Sequence, residues 1–156
     1  MRPSAGILAL GGLVLFAGSE IASSLAQEAA SVIEKRQATM KRMRGDLKTI
    51  REFGEGNGNQ ERAVADATDV AQTLRMVHDL FPPRTGMVDF PGQSSAKPGI
   101  WTDWYMFLVA QKVAVSKADA LLGGLKSGNK GRAPTGASDL WENGCQVCHR
   151  SFREEI

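Results

Sequence analysis

The sequence predicts an all-α protein built as an antiparallel four-helix bundle. Three observations carry that expectation. Four segments repeat apolar residues at steps of three and four, the seam of a bundle helix. No segment alternates apolar and polar residues at strand period for more than a few positions. One long connection rich in Pro, Gly and Ser separates the second helix from the third, as in bundles with a crossover. At 156 residues the chain is long enough for one domain with a real core. Hydrophobic residues at 42% and charged residues at 23% are ordinary for a globular protein. The 19 basic and 17 acidic residues leave a net charge of +2, too balanced to argue for nucleic acid or a membrane surface as a partner.

The N-terminus reads as a leader rather than as part of the fold. Arg2 gives a short basic start, Ile7 to Ala17 is an apolar run, and Ser24-Leu25-Ala26 offers the small residues a signal peptidase reads. Residues 1–26 are therefore expected to be a cleavable signal peptide, and 27–156 the bundle. The apolar run is too short to span a bilayer comfortably, so no stable membrane insertion of the mature chain is expected.

The first helix is expected from about Glu28 to Phe53, with Ile33, Arg36, Met40, Met43, Leu47 and Ile50 on its inner seam. Gly45 weakens it slightly, and the Gly-rich run from Gly54 to Asn59 ends it. The second runs from about Gln60 to Leu80, with Val64, Ala67, Ala71, Leu74, His78 and Phe81 on one face. Pro82-Pro83 stops it. Residues 82–98 read as a strap over one end of the bundle. The third helix is expected from Pro98 to Leu122, with Pro98 in its first turn and Gly123-Gly124 at its end. Its face is Ile100, Trp104, Phe107, Gln111, Val115, Ala118 and Leu122. After a polar linker, the fourth begins between Pro134 and Ser138 and runs to about Glu154, with Leu140, Trp141, Cys145, Cys148 and Phe152 inward.

The fourth helix carries Cys145-Gln146-Val147-Cys148-His149, which reads C-x-x-C-H, the attachment motif of a c-type haem. On a helix these spacings put both thiols and the imidazole on one face. The thiols can add across the porphyrin vinyl groups, and His149 can then ligate the iron. A thioredoxin-like pair would need a βαβ setting, which is missing. A structural zinc site would need more ligands, and these are the only two cysteines. A disulfide would leave His149 unexplained. The expectation is one covalently attached haem c per chain. Covalent haem attachment in bacteria takes place outside the cytoplasmic membrane, so the leader and the motif both point to the periplasm.

The chain resembles the class II c-type cytochromes, the cytochrome c' family, over nearly the whole mature length. The resemblance rests on Lys35 to Met40 on the first helix, on Lys97-Pro98-Gly99-Ile100-Trp101, and on Cys145 to Arg153 close to the C-terminus. It implies an axial pair of His149 and Met40, because the family's low-spin branch has methionine four residues after the helix-one arginine. Met43 is the nearest rival, and Met76 and Met106 lie off the seams. His78, on the inner face of helix two, is read as a buried hydrogen-bonded side chain. The resemblance also implies Arg36 as a partner for the anionic haem propionates, and Trp101, Phe152 and Arg153 as pocket residues.

Two functions follow from the resemblance. One is a periplasmic single-electron carrier with no catalytic residues, serving redox partner proteins. The other is a five-coordinate protein that binds nitric oxide or carbon monoxide. Pairing of two copies through the outer faces of the first two helices is a further implication.

Overall fold

The structure, a computed structural model, describes residues 17–155. Its helices are α1 (Ala17–Gly54), α2 (Gln60–Met76), α3 (Gly99–Thr102), α4 (Trp104–Lys126), α5 (Arg132–Leu140) and α6 (Gln146–Phe152). A 3-10 turn (Val77–Leu80) prolongs α2, and a π turn (Trp141–Cys145) joins α5 to α6. The rods are thus α1, α2, α4 and the composite α5–α6. α1 and α4 each pack on both α2 and α5, so α1 and α4 stand on a diagonal.

The apolar start of the expected leader, residues 1–16, lies outside the described residues. α1 begins at Ala17 and continues through the expected cleavage point after Ala26. Among the described residues no helix is long and apolar enough to cross a membrane.

The seam of α1 is buried as its periodicity implies: Ile33, Arg36, Met43, Leu47 and Ile50 are all enclosed. Two apolar clusters make the core. The larger joins α1, α2, α4 and α5 through residues such as Ile50, Val70, Ala118, Leu125 and Leu140. Small alanines on α2 and α4 (Ala63, Ala67, Ala71, Ala114, Ala118) let the backbones approach closely. The smaller cluster, Val77, Phe81, Ala96, Ile100, Phe107, Ala110 and Phe152, caps the end under the strap. There Phe107 meets Phe81 and Phe152 edge-on, at ring-centroid distances of 4.9 and 5.5 Å.

Three boundaries depart from the sequence expectation. The third helix is not continuous from Pro98. Asp103 (φ −133, ψ 58) breaks it and caps α4, its carboxylate accepting from the Met106 backbone N–H at 3.3 Å. An aspartate that bonds to a nearby amide offers the chain an alternative to one unbroken helix. Gly123-Gly124 does not end α4. The stop comes at Gly128, whose φ of +76 and bond to the Leu125 carbonyl (3.1 Å) turn the chain out of the helix. The fourth helix carries the π turn, one extra residue in its winding immediately before the motif. There Gly144 is buried, and a Cβ on it would lie 3.2 Å from Ala114 Cα of α4.

One polar pair inside the bundle is under tension. Asp46 on α1 and Asp66 on α2 each leave one buried carboxylate oxygen without a partner. Arg62 pairs with Asp66 at 2.7 Å, and Arg42 pairs with Asp69 beside them. Burial first, and the Asp66 charge second, push the Asp46 carboxyl above its usual range.

Two tests follow from this packing. Gly45→Ala meets nothing within 4 Å and gains about 0.5–1 kcal/mol from helix propensity, whereas Gly144→Ala drives a Cβ to 3.0 Å from Leu140 Cδ1 and 3.2 Å from Ala114 Cα and costs about 1–3 kcal/mol. Denaturant melts of both variants check the opposite signs. For Asp46, the folded state holds its proton more tightly than the unfolded chain. That contribution is therefore lost as pH rises from the ordinary carboxylate range through the raised one. Asp46→Asn flattens this fall and is the more stable protein at pH 7, which melts at pH 4 and pH 7 compare directly.

Candidate haem site

The two core clusters do not close on one another completely. Between them lies a cavity of about 420 Å³, bounded by α1, α2, α4 and α6 and by the strap. Cys145, Cys148 and His149 form one wall. Cys148 and His149 stand on regular α6, and Cys145 is the last residue of the π turn that leads into it. Cys145 packs on the larger cluster and Cys148 on the smaller. Trp141, about two turns back, meets the His149 ring edge-on at 6.3 Å.

Burial pushes both thiols up, to about 11 each, with the neighbouring Cys145 adding to the effect on Cys148. A thiol-disulfide redox pair needs the opposite, a thiolate held down near neutral pH. Burial first, then the Arg153 charge, holds the His149 imidazole below its usual range. That keeps the ring in the neutral form able to ligate a metal.

The α1 wall supplies Met40, Met43 and Leu47. Met40 is half-buried and touches both clusters, whereas Met43 is buried in the larger one. Met76 and Met106 are exposed, at 58% and 48% of their surface, and neither lines the cavity. His78 does not line it either. Its Nδ1 lies 3.0 Å from Gln111 Nε2, and its Nε2 lies 3.3 Å from Asp79. Gln111 also donates to the Leu74 and Arg75 carbonyls at 2.8 and 2.9 Å, which satisfies the last turn of α2.

Arg36 lines the cavity and is only 6% exposed, but its fork is turned to the strap. Nε donates to the Leu80 carbonyl at 2.9 Å, Nη1 to the Thr85 carbonyl at 3.2 Å and Ser94 Oγ at 3.4 Å, and Nη2 to Thr85 Oγ1 at 2.7 Å. The guanidinium also lies 4.3 Å over the Phe81 ring. Four of its five N–H groups are bonded in this way, and the expected propionate partner would compete with the strap for this guanidinium. Burial lowers its pKa to about 10, so it stays charged at neutral pH.

Trp101 is displaced from its expected place. Its ring lies on Gly86, where a Cβ would come within 2.7 Å of it, and its Nε1 donates to the Phe81 carbonyl at 3.0 Å. It holds the strap and is not part of the cavity wall. Trp104, the first residue of α4, is partly exposed and packs its ring 5.2 Å from that of Phe107. Phe152 and Arg153 do line the cavity. Glu154, next to Arg153 in the chain, pairs with Lys97 at 3.3 Å.

Thr85 and Ser94, both almost fully buried, carry no signal in the sequence. They lie in an aperiodic segment, and no motif marks them. Phe81, Phe107 and Gln111 were legible as core positions but not as cavity walls.

These features fit a haem. The volume is that of a small-molecule site, and the lining is mainly apolar. Both thiols and a neutral imidazole stand on one wall. Arg36, Lys41, Arg44 and Arg153 are the charged groups of the lining, and among the described residues no Asp or Glu lines it, as suits a cofactor with an anionic edge. The double variant Cys145→Ala/Cys148→Ala loses its haem to acid extraction, whereas the parent protein keeps it through two thioether bonds. Absorbance of the extract reads the difference.

Comparison with known proteins agrees with the geometry. The family described as "Cytochrome C'" matches residues 31–153. A cytochrome c-556 of Agrobacterium fabrum is 28% identical over 127 residues, covering 80% of this chain and 82% of that protein. Among solved structures, a cytochrome c' described as having unusual ligand-controlled dimer dissociation superposes with a TM-score of 0.72 at 22% identity, over 81% of this chain and 97% of that one. A nitric oxide complex of a variant cytochrome c prime from Alcaligenes xylosoxidans gives 0.69 at 18%, over 82% and 97%.

Proposed function

This chain belongs to the cytochrome c' family and carries a covalent haem c, and on that premise we propose that it is a periplasmic single-electron carrier whose axial ligands are His149 and Met40. The observation that carries this reading is the position of Met40 on the α1 wall, at the junction of the two core clusters. When bound, the haem supplies one-electron chemistry at its iron.

The residues divide the remaining work. Cys145 and Cys148 hold the porphyrin by its edge. His149, neutral and beside Trp141, offers an imidazole nitrogen from α6. Met40 offers a soft thioether from α1, which favours ferrous iron and raises the potential relative to a second imidazole. Phe81, Phe107 and Phe152 keep water from that end of the cavity, which disfavours the ferric charge. Removal of residues 1–26 and export belong to the same proposal, as does pairing of two copies.

A second reading has its own support. It is a gas-binding protein in which Met40 is absent from the iron or yields to nitric oxide or carbon monoxide. The comparisons lean this way, since one solved relative is a nitric oxide complex. Optical spectra of the oxidised and reduced protein separate the two. The carrier gives six-coordinate, low-spin spectra in both states and slow carbon monoxide binding. Met40→Ala turns it high-spin and opens it to carbon monoxide without unfolding the bundle. High-spin spectra and rapid carbon monoxide binding in the unaltered protein would establish the gas-binding reading instead.

A further inference from the structure

The helices that carry Met40 and His149 are not neighbours. Among the described residues, no Cα of α1 comes within 8 Å of a Cα in α6 or in the π turn. The cavity lies between them: α1 packs on the α5 end of the composite rod, and at the α6 end the strap, residues 82–98, bridges the two. At one end Arg36 of α1 clamps Thr85 and Ser94 through the bonds given above. At the other end the strap pairs with the chain just past His149. Lys97 N–H donates to the Phe152 carbonyl at 2.9 Å, and Glu154 N–H donates to the Ser95 carbonyl at 2.8 Å. Ala96 and Arg153 form an antiparallel bridge between these two bonds. Ser94, held by Arg36, immediately precedes Ser95, held by Glu154, so the path from helix to helix is very short.

The strap is also stiff along this path. Ser94 Oγ donates back to the Thr85 carbonyl at 2.9 Å, Thr85 Oγ1 to the Pro82 carbonyl at 2.8 Å, and Met87 N–H to the Ala96 carbonyl at 2.9 Å. Trp101 presses on Gly86. Gln37 adds one exposed bond from α1, Nε2 to the Gln93 carbonyl at 2.7 Å.

We propose that the Arg36-anchored strap is a tie rod that sets the separation of α1 and α6, and that Arg36 is a positioning residue for the Met40 side of the site. Arg36 lies one turn, about 6 Å along the helix, before Met40. Its charge is spent on the strap, and the strap fixes where that turn of α1 stands relative to His149. The consequence for ligation rests on the His149/Met40 reading. The tie itself does not.

Two variants of the haem-loaded protein test it. Arg36→Lys removes the fork, and Thr85→Val removes one acceptor while keeping the side-chain shape. Thr85→Val is the milder change and remains informative if the Arg36 variant folds poorly. Spin labels at Lys35→Cys on α1 and Arg150→Cys on α6, both exposed positions, report the helix separation, the native cysteines being held as thioethers. The expected result is a longer and broader distance distribution in both variants than in the parent. Carbon monoxide binding to the ferrous protein should also accelerate about tenfold, the equivalent of one lost buried hydrogen bond. Parent-like distances, even with lowered stability, overturn the tie. If distances widen but Met40→Ala leaves the spectrum unaltered, the tie stands and the ligation reading fails. If Met40→Ala turns the protein high-spin while distances stay fixed, the reverse holds.

Discussion

Everything in this protein is arranged around a gap in its packing. Protein interiors are normally filled to the density of organic crystals, with few voids larger than a water molecule. Here two apolar clusters stop short of one another and leave about 420 Å³ between them. The walls of this gap are mainly apolar side chains, which suit something flat and apolar that fills it. The two thiols on its wall make that filling permanent.

The electrostatics follow from the same gap. Burial raises both thiols and holds the imidazole below its usual range, in the neutral form that can ligate a metal. The lining carries arginines and a lysine but, among the described residues, no acid. The one deeply buried cation among those residues, Arg36, has no carboxylate among its hydrogen-bond partners. It is satisfied by four neutral acceptors and an aromatic face instead, and so ties α1 to the strap. A buried charge held by neutral groups is costly to displace, because removing one acceptor leaves an N–H group without a partner.

Much of this was legible in the sequence. Periodicity located all four rods and the inner seam of α1, because burial on one face leaves a pattern of threes and fours. The C-x-x-C-H motif located one wall of the site, because its three side chains work only at those spacings. What was not legible depends on single residues competing with regular structure. Asp103 could equally sit within a helix or cap a new one. Gly123 and Gly124 read as a stop, but only Gly128 adopts the left-handed conformation that ends α4. The π turn inserts one residue, which no periodicity count over a short helix detects. The roles of Trp101, Thr85 and Ser94 arise from contacts with an aperiodic strap, and such contacts have no signature in the order of residues.

The central claim is that α1 gives a methionine to the haem iron and that this methionine is Met40. The most direct measurement is proton–carbon NMR of the reduced protein with its methionine methyls labelled. A ligated thioether lies over the porphyrin, so its methyl resonance is carried far upfield of the others by the ring current. The account predicts one such resonance, lost in Met40→Ala and retained in Met43→Leu. Methionine methyls all in the ordinary range, or an upfield signal that disappears with Met43, would contradict it.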